Sequence, residues 1–343
     1  MKLWKMLLVL LALDASAAVA NLARVPGDAF LRAVCDVQSL AAEDSSSALA
    51  GSLLLMFWNC ENFFDYSDSG TGVSDWEFSA GGSRHWTAKR FYAKCELFAK
   101  SLLYISEREG HLPDAVGLAE IENAGVLRRL LSSTLLRKLD YRFIHYDSPD
   151  HRGIDCALLY RSSRLTPLSS KPCHIDTLAT RDILLAQFLT TGGDSLAILV
   201  NHHPSKYGGS ASGELRALAM KRLRSLSDSL ENAGWDSRVA LGDFNEQLSD
   251  SVFRLLTPSL LPAPVREDSY PGSIRFNGEW QFIDLAFVSP SLEPRSSFRA
   301  SPLPFLMEKD SAHSGLKPLR TYSGPRWKGG FSDHLPILVD VSR

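Results

Sequence analysis

Short apolar runs alternate with amphipathic stretches along this chain, and most of the runs end in a carboxylate, an amide or a histidine. Ser52 to Trp58 (SLLLMFW) is continuously apolar, as a strand buried on both faces would be. Thr87 to Ser106 has helical spacing, with Phe91, Cys95, Phe98 and Leu102 on one face. Ala115 to Ala119 is a second short run, ending at Glu120, and Ala124 to Leu136 is again helical. Arg142 to His145 and Cys156 to Arg161 read as strands flanking the loop from Asp147 to Gly153. Ile183 to Leu189 and Leu196 to Asn201 read as a hairpin closed by Thr191-Gly192-Gly193-Asp194. Ser212 to Leu230 is a long amphipathic helix, and Arg238 to Leu241 a strand running into Gly242-Asp243-Phe244-Asn245. Phe282 to Val288 and Leu335 to Val341 complete the strands. Helices join some strands and tight turns join others. The pattern predicts an α/β fold with mixed sheets, or a pair of packed sheets with helices outside.

The N-terminus departs from this pattern. Lys2 and Lys5 precede the apolar run Met6 to Leu13, and Ala18-Val19-Ala20 resembles a cleavage site. That run is too short to span a bilayer. Residues 1–20 therefore read as an export signal, the alternative being an uncleaved apolar helix. Residues 21–51 read as a linker or loosely packed segment, and 52–343 as the main folded domain. Export to a periplasmic or extracellular location follows from the first reading, and no stable membrane span is expected.

Composition is that of an ordinary globular chain, with 45% hydrophobic and 22% charged residues among 343. The formal net charge of −2 becomes −3 once residues 1–20 are removed, so nothing pulls the whole molecule toward nucleic acid. The five cysteines (Cys35, Cys60, Cys95, Cys156, Cys173) show no CxxC spacing, which argues against zinc and a disulfide framework.

Candidate chemistry sits at the ends of the apolar runs: Asn59 and Glu61, Glu120 and Glu122, Asp155, His202 and His203, Asp243 and Asn245, Asp284, Asp333 and His334. Carboxylates and amides without thiolates suit a hard, oxygen-ligated cation such as Mg²⁺ or Mn²⁺. Histidines beside them suit proton transfer or contact with an anionic oxygen. Each residue also has a plain structural reading. Glu120 could cap the helix from Ala124, Asp-Phe-Asn could be an Asx turn, Asp284 could hold a backbone turn, and His203 could be packing. The ordered series, and no single member, favours chemistry.

That series resembles the endonuclease/exonuclease/phosphatase superfamily, which includes pancreatic-type deoxyribonucleases, abasic-site endonucleases, inositol polyphosphate 5-phosphatases and neutral sphingomyelinases. The resemblance runs from Leu54 to Val341. It rests on Phe57-Trp58-Asn59, Leu118-Ala119-Glu120, Val200-Asn201-His202, Gly242-Asp243-Phe244-Asn245, Ile283-Asp284 and Ser332-Asp333-His334-Leu335-Pro336. Asn59-Cys60-Glu61-Asn62-Phe63-Phe64-Asp65, Arg152-Gly153-Ile154-Asp155 and His202-His203-Pro204-Ser205 resemble a bacterial branch of it. The resemblance implies a four-layer α/β/β/α sandwich of the deoxyribonuclease I type. It implies Glu120 as principal metal ligand with Asn59 and Asp333, and Asp243 as the group that positions or deprotonates water. It implies Asn245 and His334 on the phosphate, His202 as a second acid/base or phosphate contact, and Asp284 orienting a histidine or facing the leaving group. A pairing of Asp155 with His202 is expected from position. Ile121-Glu122-Asn123 departs from the family pattern and sets Glu122 as extra negative charge near a phosphate site.

The implied activity is divalent-metal-dependent phosphodiester hydrolysis by direct attack of water, with nucleic acid as the substrate. Arg90, Arg152 and Lys206 are the expected substrate contacts. Arg84, Lys89, Arg90 and Lys94 cluster with Trp86 and Phe91, either as a basic, aromatic surface for nucleic acid or as a solvated helix face. Arg216, early in the long helix, adds a further charge to this basic set. A phosphatase or phosphodiesterase acting on a lipid or sugar phosphate is the alternative, and a catalytically inactive binding module the second. A monomer is expected.

Overall fold

The computed structural model describes residues 52–342, except 71, 177 and 207–209. The expected export signal and linker, and Cys35, lie outside the described residues. Two large sheets dominate. Their strands are β1 (Ser52–Phe63), β2 (Ala115–Ile121), β3 (Tyr141–His145), β4 (Asp155–Arg161), β5 (Leu165–Cys173), β6 (Ile183–Thr190), β7 (Ser195–His202), β8 (Arg238–Asp243), β9 (Leu261–Pro262), β10 (Asp284–Val288), β11 (Ser296–Ala300) and β12 (Ile337–Ser342). The first sheet has the order β11-β12-β1-β2-β4-β3 and the second β5-β6-β7-β8-β10-β9. Helices α1 (Ala88–Glu109), α2 (Ala124–Ser133) and α3 (Ser210–Asn232) lie outside them.

Alternation along β1 shows how the layers form. Leu53, Leu55 and Phe57 enter the core shared with the second sheet. Leu54, Met56 and Trp58 enter a separate core under α1, with Phe91, Cys95, Phe98 and Leu102. A strand buried on both faces thus reads as an unbroken apolar run. The two sheets approach closely at Gly117, where a Cβ would lie 2.4 Å from Leu241 Cδ1. Each sheet holds one parallel pair, β1 with β2 and β7 with β8, and all other neighbours are antiparallel. Parallel neighbours need a long crossover. Helix α1 lies in the first crossover and α3 in the second. Both pairs send their C-terminal ends to the same edge of the sandwich, and the candidate residues gather there.

Three strands lie where the apolar pattern shows none, one of them the two-residue β9. β5 is a mostly exposed edge strand carrying Pro167 and Pro172, and β11 is the short, polar SSFRA. Edge positions tolerate proline because one row of backbone groups faces solvent. The hairpin of β6 and β7 forms as the sequence predicts. The second helix ends at Ser133 and continues as a 3-10 turn, Leu135–Lys138. Among the described residues no helix is long and apolar enough to cross a membrane. Cys60, Cys95, Cys156 and Cys173 are free and buried, as small core hydrophobes.

Candidate active site

Six strand ends deliver the site. Asn59 of β1 stands opposite Ala119 of β2, one residue before Glu120. His202 of β7 stands opposite Asp243 of β8, which also faces Asp284 of β10. The segment Ser332–His334 is tied to β1 in two places. Ser332 Oγ donates to the carbonyl of Asn59 (2.7 Å), and Trp58 Nε1 donates to the carbonyl of His334 (2.9 Å). Gly242 has no room for a side chain, since a Cβ there would lie 2.2 Å from the Asn201 carbonyl. The Gly-Asp-Phe-Asn turn is therefore pressed against β7.

The polar groups converge around the Asp243 carboxylate. Its Oδ2 accepts from Asn59 Nδ2 (3.0 Å), and its Oδ1 accepts from the Asn245 amide N–H (3.0 Å). His334 Nε2 lies 3.9 Å and His202 Nε2 3.8 Å from Asp243 Oδ2. His334 Nδ1 is hydrogen-bonded to Asp284 Oδ2 at 2.8 Å. Asp333 Oδ1 lies 3.9 Å from His334 Nε2. Glu120 Oε2 accepts from the Asn62 amide (2.7 Å), while Oε1 lies 3.5 Å from Arg152 Nη1 and 4.0 Å from His202 Nε2. The structure thus brings together Asn59, Glu120, Arg152, His202, Asp243, Asn245, Asp284, Asp333 and His334.

Backbone strain marks the same place. Six described non-glycine residues have positive φ, and four belong here: Glu61, Asn62, Glu120 and Asn245. Such conformations persist where surrounding contacts enforce them, and they cluster at functional sites. Three coincide with the interrupted register between β1 and β2, a bulge that re-aims Glu120 into the cleft.

The two cleft histidines are held in different charge states. Burial alone would lower the pKa of His334, but Asp284, Asp243 and Asp333 together hold it well above its ordinary value, as imidazolium. Burial drives His202 well below the usual range, helped by Arg181, Arg152 and the His334 charge, so it stays neutral. Burial and the neighbouring Asp284 charge push Asp243 up to about 7.

The family model described as Endonuclease/Exonuclease/phosphatase family matches residues 54–343. The chain belongs to that family. It is therefore a phosphoester hydrolase by family, and enzymes of the family use divalent metals. No curated protein matches the chain in sequence. Three solved structures illustrate the shared fold. An endonuclease/exonuclease/phosphatase family protein from Bacteroides thetaiotaomicron is 15% identical with a TM-score of 0.55, over 84% of this chain and 97% of that one. A mannosyl-6-phosphatase from the same species is 14% identical with a TM-score of 0.54, over 84% and 98%. TDP2 of D. rerio humanized by 14 mutations is 17% identical with a TM-score of 0.53, over 85% and 99%.

The residues present fit a divalent cation. Glu120 keeps Oε1 in the cleft beside Arg152 and neutral His202, and Asn59 Oδ1, which accepts from the Glu61 amide (3.0 Å), and Asp333 Oδ1 stand on adjoining segments. Burial first, and the neighbouring Asp284 charge second, raise the pKa of Asp243, and a bound cation would oppose both. Asp243, Asp284 and His334 also present ligand atoms within 4.8 Å of one another. That grouping is the poorer cradle, because His334 Nδ1 and Asp284 Oδ2 already bind each other.

Several expectations need correction. Asp155 does not pair with His202. It holds His145 Nε2 at 3.1 Å and the Ser148 amide at 2.9 Å, because β4 is flanked by β3 and not by β7. Glu122 turns away from the cleft and accepts from the Asp65 amide (2.6 Å), so it adds no charge at the phosphate position. Asn123, not Glu120, caps α2 by accepting from the Val126 amide (3.1 Å). The basic, aromatic set of α1 is no surface patch, since Trp86, Phe91 and Lys94 are buried. Arg90 spends its guanidinium on the carbonyls of Arg84 (2.6 Å) and His85 (2.9 Å) and lies over the Trp327 ring. Lys206 pairs with Glu246 (3.2 Å) and Asp250 (3.6 Å), and Arg216 turns inward onto Glu246 (2.6 Å).

Two arginines that carry no motif belong to the site's framework. Arg181 is buried, pairs with Asp150 (3.1 Å) and donates to the carbonyl of His203 (2.9 Å). That carbonyl also accepts from Asn245 Nδ2 (3.0 Å), and Asp150 accepts from the Arg152 amide (3.0 Å). Arg181 thus joins the Arg152 turn to the His203 segment and the Asn245 turn. Arg320 is the other; it bridges Glu61 and Asp333. Neither has a sequence signal, since each gains its role from partners distant along the chain.

Proposed function

We propose that this chain is an exported, divalent-metal-dependent nuclease of low sequence selectivity, cleaving phosphodiesters by direct attack of water. The observation that carries the chemistry is the placement of His202 Nε2 and His334 Nε2 at 3.8 and 3.9 Å from Oδ2 of the Asp243 carboxylate. With His334 charged and His202 neutral, the groups can give and take protons in one cycle. Glu120, Asn59 and Asp333 would hold the divalent cation, which would supply neutralisation of phosphoryl and leaving oxygens, and Mg²⁺ or Mn²⁺ would suit these oxygen ligands.

The chain's own residues supply the rest. Asp243, held by Asn59 and Asn245, is placed to orient the attacking water and take its proton. His334 presents a positive Nε2 to the phosphate, fixed by Asp284 on the opposite nitrogen. Neutral His202 faces the same space from β7 and can exchange a proton there. Asn245 gives one N–H to the His203 carbonyl and keeps a second for a phosphate oxygen. No covalent intermediate is needed.

Support for nucleic acid comes from partly exposed guanidinium groups on two sides of the carboxylates, Arg152 beside Glu120 and Arg320 beside Asp333. One observation favours a smaller phosphoester of a sugar or lipid: the basic helix face folds inward, which shortens any track for a long strand. A panel of plasmid, single-stranded oligonucleotide, RNA and small phosphoesters, with Mg²⁺ or Mn²⁺, separates the two. Cleavage of nucleic acid that falls steeply with salt supports the nuclease. Turnover of small esters alone favours the second reading. His334→Ala should lose roughly 10²–10⁴ in rate. Unchanged turnover in that variant, or full activity in excess EDTA, rejects the mechanism. For export, the purified protein should begin near Asn21 by mass spectrometry; an intact Met1 in the cytoplasmic fraction rejects it.

A further inference from the structure

Arg320 stands where a surface arginine would ordinarily be free, yet it is held firmly. Its side chain is 48% exposed, but Nε binds Glu61 Oε1 at 3.0 Å and Nη2 binds Asp333 Oδ2 at 2.9 Å. The backbone beneath it is fixed as well. The Thr321 amide donates to Glu61 Oε2 (2.9 Å), and the Gly330 amide donates to the Arg320 carbonyl (3.1 Å). Lys94 Nζ, fully buried, donates to the Glu61 carbonyl and to Thr321 Oγ1, each at 2.8 Å.

Buried Glu61 needs a compensating cation. Lys94 reaches this segment only at the Glu61 backbone carbonyl, so Arg320 is the cation on the carboxylate itself. Its far edge also reaches Asp333, the residue before His334. Its Nη1 has no hydrogen-bond partner among the described residues. A guanidinium held by two carboxylates has little conformational entropy left to lose on binding an anion, and its fork geometry matches phosphate oxygens. Arg152 lies on the Glu120 side of the cleft, so Arg320 supplies the corresponding charge on the His334 side.

We propose that Arg320 is a substrate-binding residue that grips the phosphate adjoining the scissile one, on the His334 side of the cleft. This rests on the nuclease reading above, since a nucleic-acid strand presents such a neighbour and a simple diester does not. The site then selects substrates carrying a second phosphate one linkage away.

The test compares Arg320→Gln and Arg320→Lys with wild type on two substrates in the presence of Mg²⁺. Bis(p-nitrophenyl) phosphate has one phosphate, and a short single-stranded oligonucleotide has several. In Arg320→Gln the oligonucleotide KM should rise roughly tenfold more than the bis(p-nitrophenyl) phosphate KM, and Arg320→Lys should recover part of that difference. Fluorescence anisotropy of the labelled oligonucleotide in EDTA gives a reading independent of turnover. There the slope of log affinity against log salt should fall by about 0.7 in Arg320→Gln, the value for one single-strand phosphate contact. Equal losses on both substrates, or an unchanged salt slope, overturn the proposal and leave the proposed function standing. Wild type that turns over the small diester but neither binds nor cleaves the oligonucleotide overturns both. Thermal melts of Arg320→Gln and Arg320→Lys beside wild type exclude a folding defect as the cause of the loss.

Discussion

The Asp284–His334 pair joins residues 50 positions apart and decides the charge on the imidazole that faces the phosphate. Asp284→Asn removes the counter-charge that keeps His334 protonated. We expect kcat to fall by roughly 10²–10⁴ with little change in fold, read by steady-state kinetics beside circular dichroism. His203 differs from its neighbour. Burial, with Arg181 and Arg216 nearby, lowers its pKa to about 3, and its ring packs edge-on against Phe244. The folded state then binds fewer protons than the unfolded one between about pH 3 and the ordinary value of 6.5. His203 therefore contributes stability above the ordinary value that is lost as pH falls through that window, at about 1.4 kcal/mol per pH unit. His203→Asn should flatten this part of the stability profile in denaturant titrations. The candidate types His202, Asp243, Asp284 and His334 were legible in the sequence. Their charge states were not, because these depend on burial and on partners brought in from other strands.

Strand ends and turns form the next scale. The Gly-Asp-Phe-Asn turn is anchored by Phe244, whose ring lies 5.1 Å from that of Phe287 and 5.9 Å from that of Phe253. Arg181 works at the same scale, joining the turn that carries Arg152 to the His203 carbonyl. Arg181→Met would leave Asp150 buried without its cation. Such a change should cost about 3–5 kcal/mol in chemical denaturation and raise KM by loosening Arg152. An unchanged denaturation midpoint would show that Asp150 finds another partner. Long apolar strands could be read from sequence because both faces are buried. β5 and β11 could not, since an exposed or short polar strand shows little periodicity.

Across the whole molecule, two sheets of six strands each present their functional ends to one edge, where the carboxylates of Glu120, Asp243, Asp284 and Asp333 gather. A divalent cation should relieve their repulsion in the folded state alone. At a concentration a hundred times its dissociation constant it should add about 2.7 kcal/mol, visible as a raised melting temperature that EDTA reverses. Glu120→Gln should diminish the shift.

Periodicity and residue type alone determined an α/β fold with mixed sheets, the polar residues at the strand ends and the turn at Gly242–Asn245, and the family resemblance added the layered sandwich and the hydrolytic roles. The first three follow from local rules, because a strand's two faces and a turn's short contacts are encoded by near neighbours. Tertiary structure decided the rest: that Asp155 serves His145, that Glu122 and Lys94 turn inward, that Asn123 frees Glu120 from capping, and that Arg181 and Arg320 belong to the site. Each of those outcomes depends on strand order and on which sheet faces which, and a side chain's partner across such a distance is fixed only when the two sheets pack.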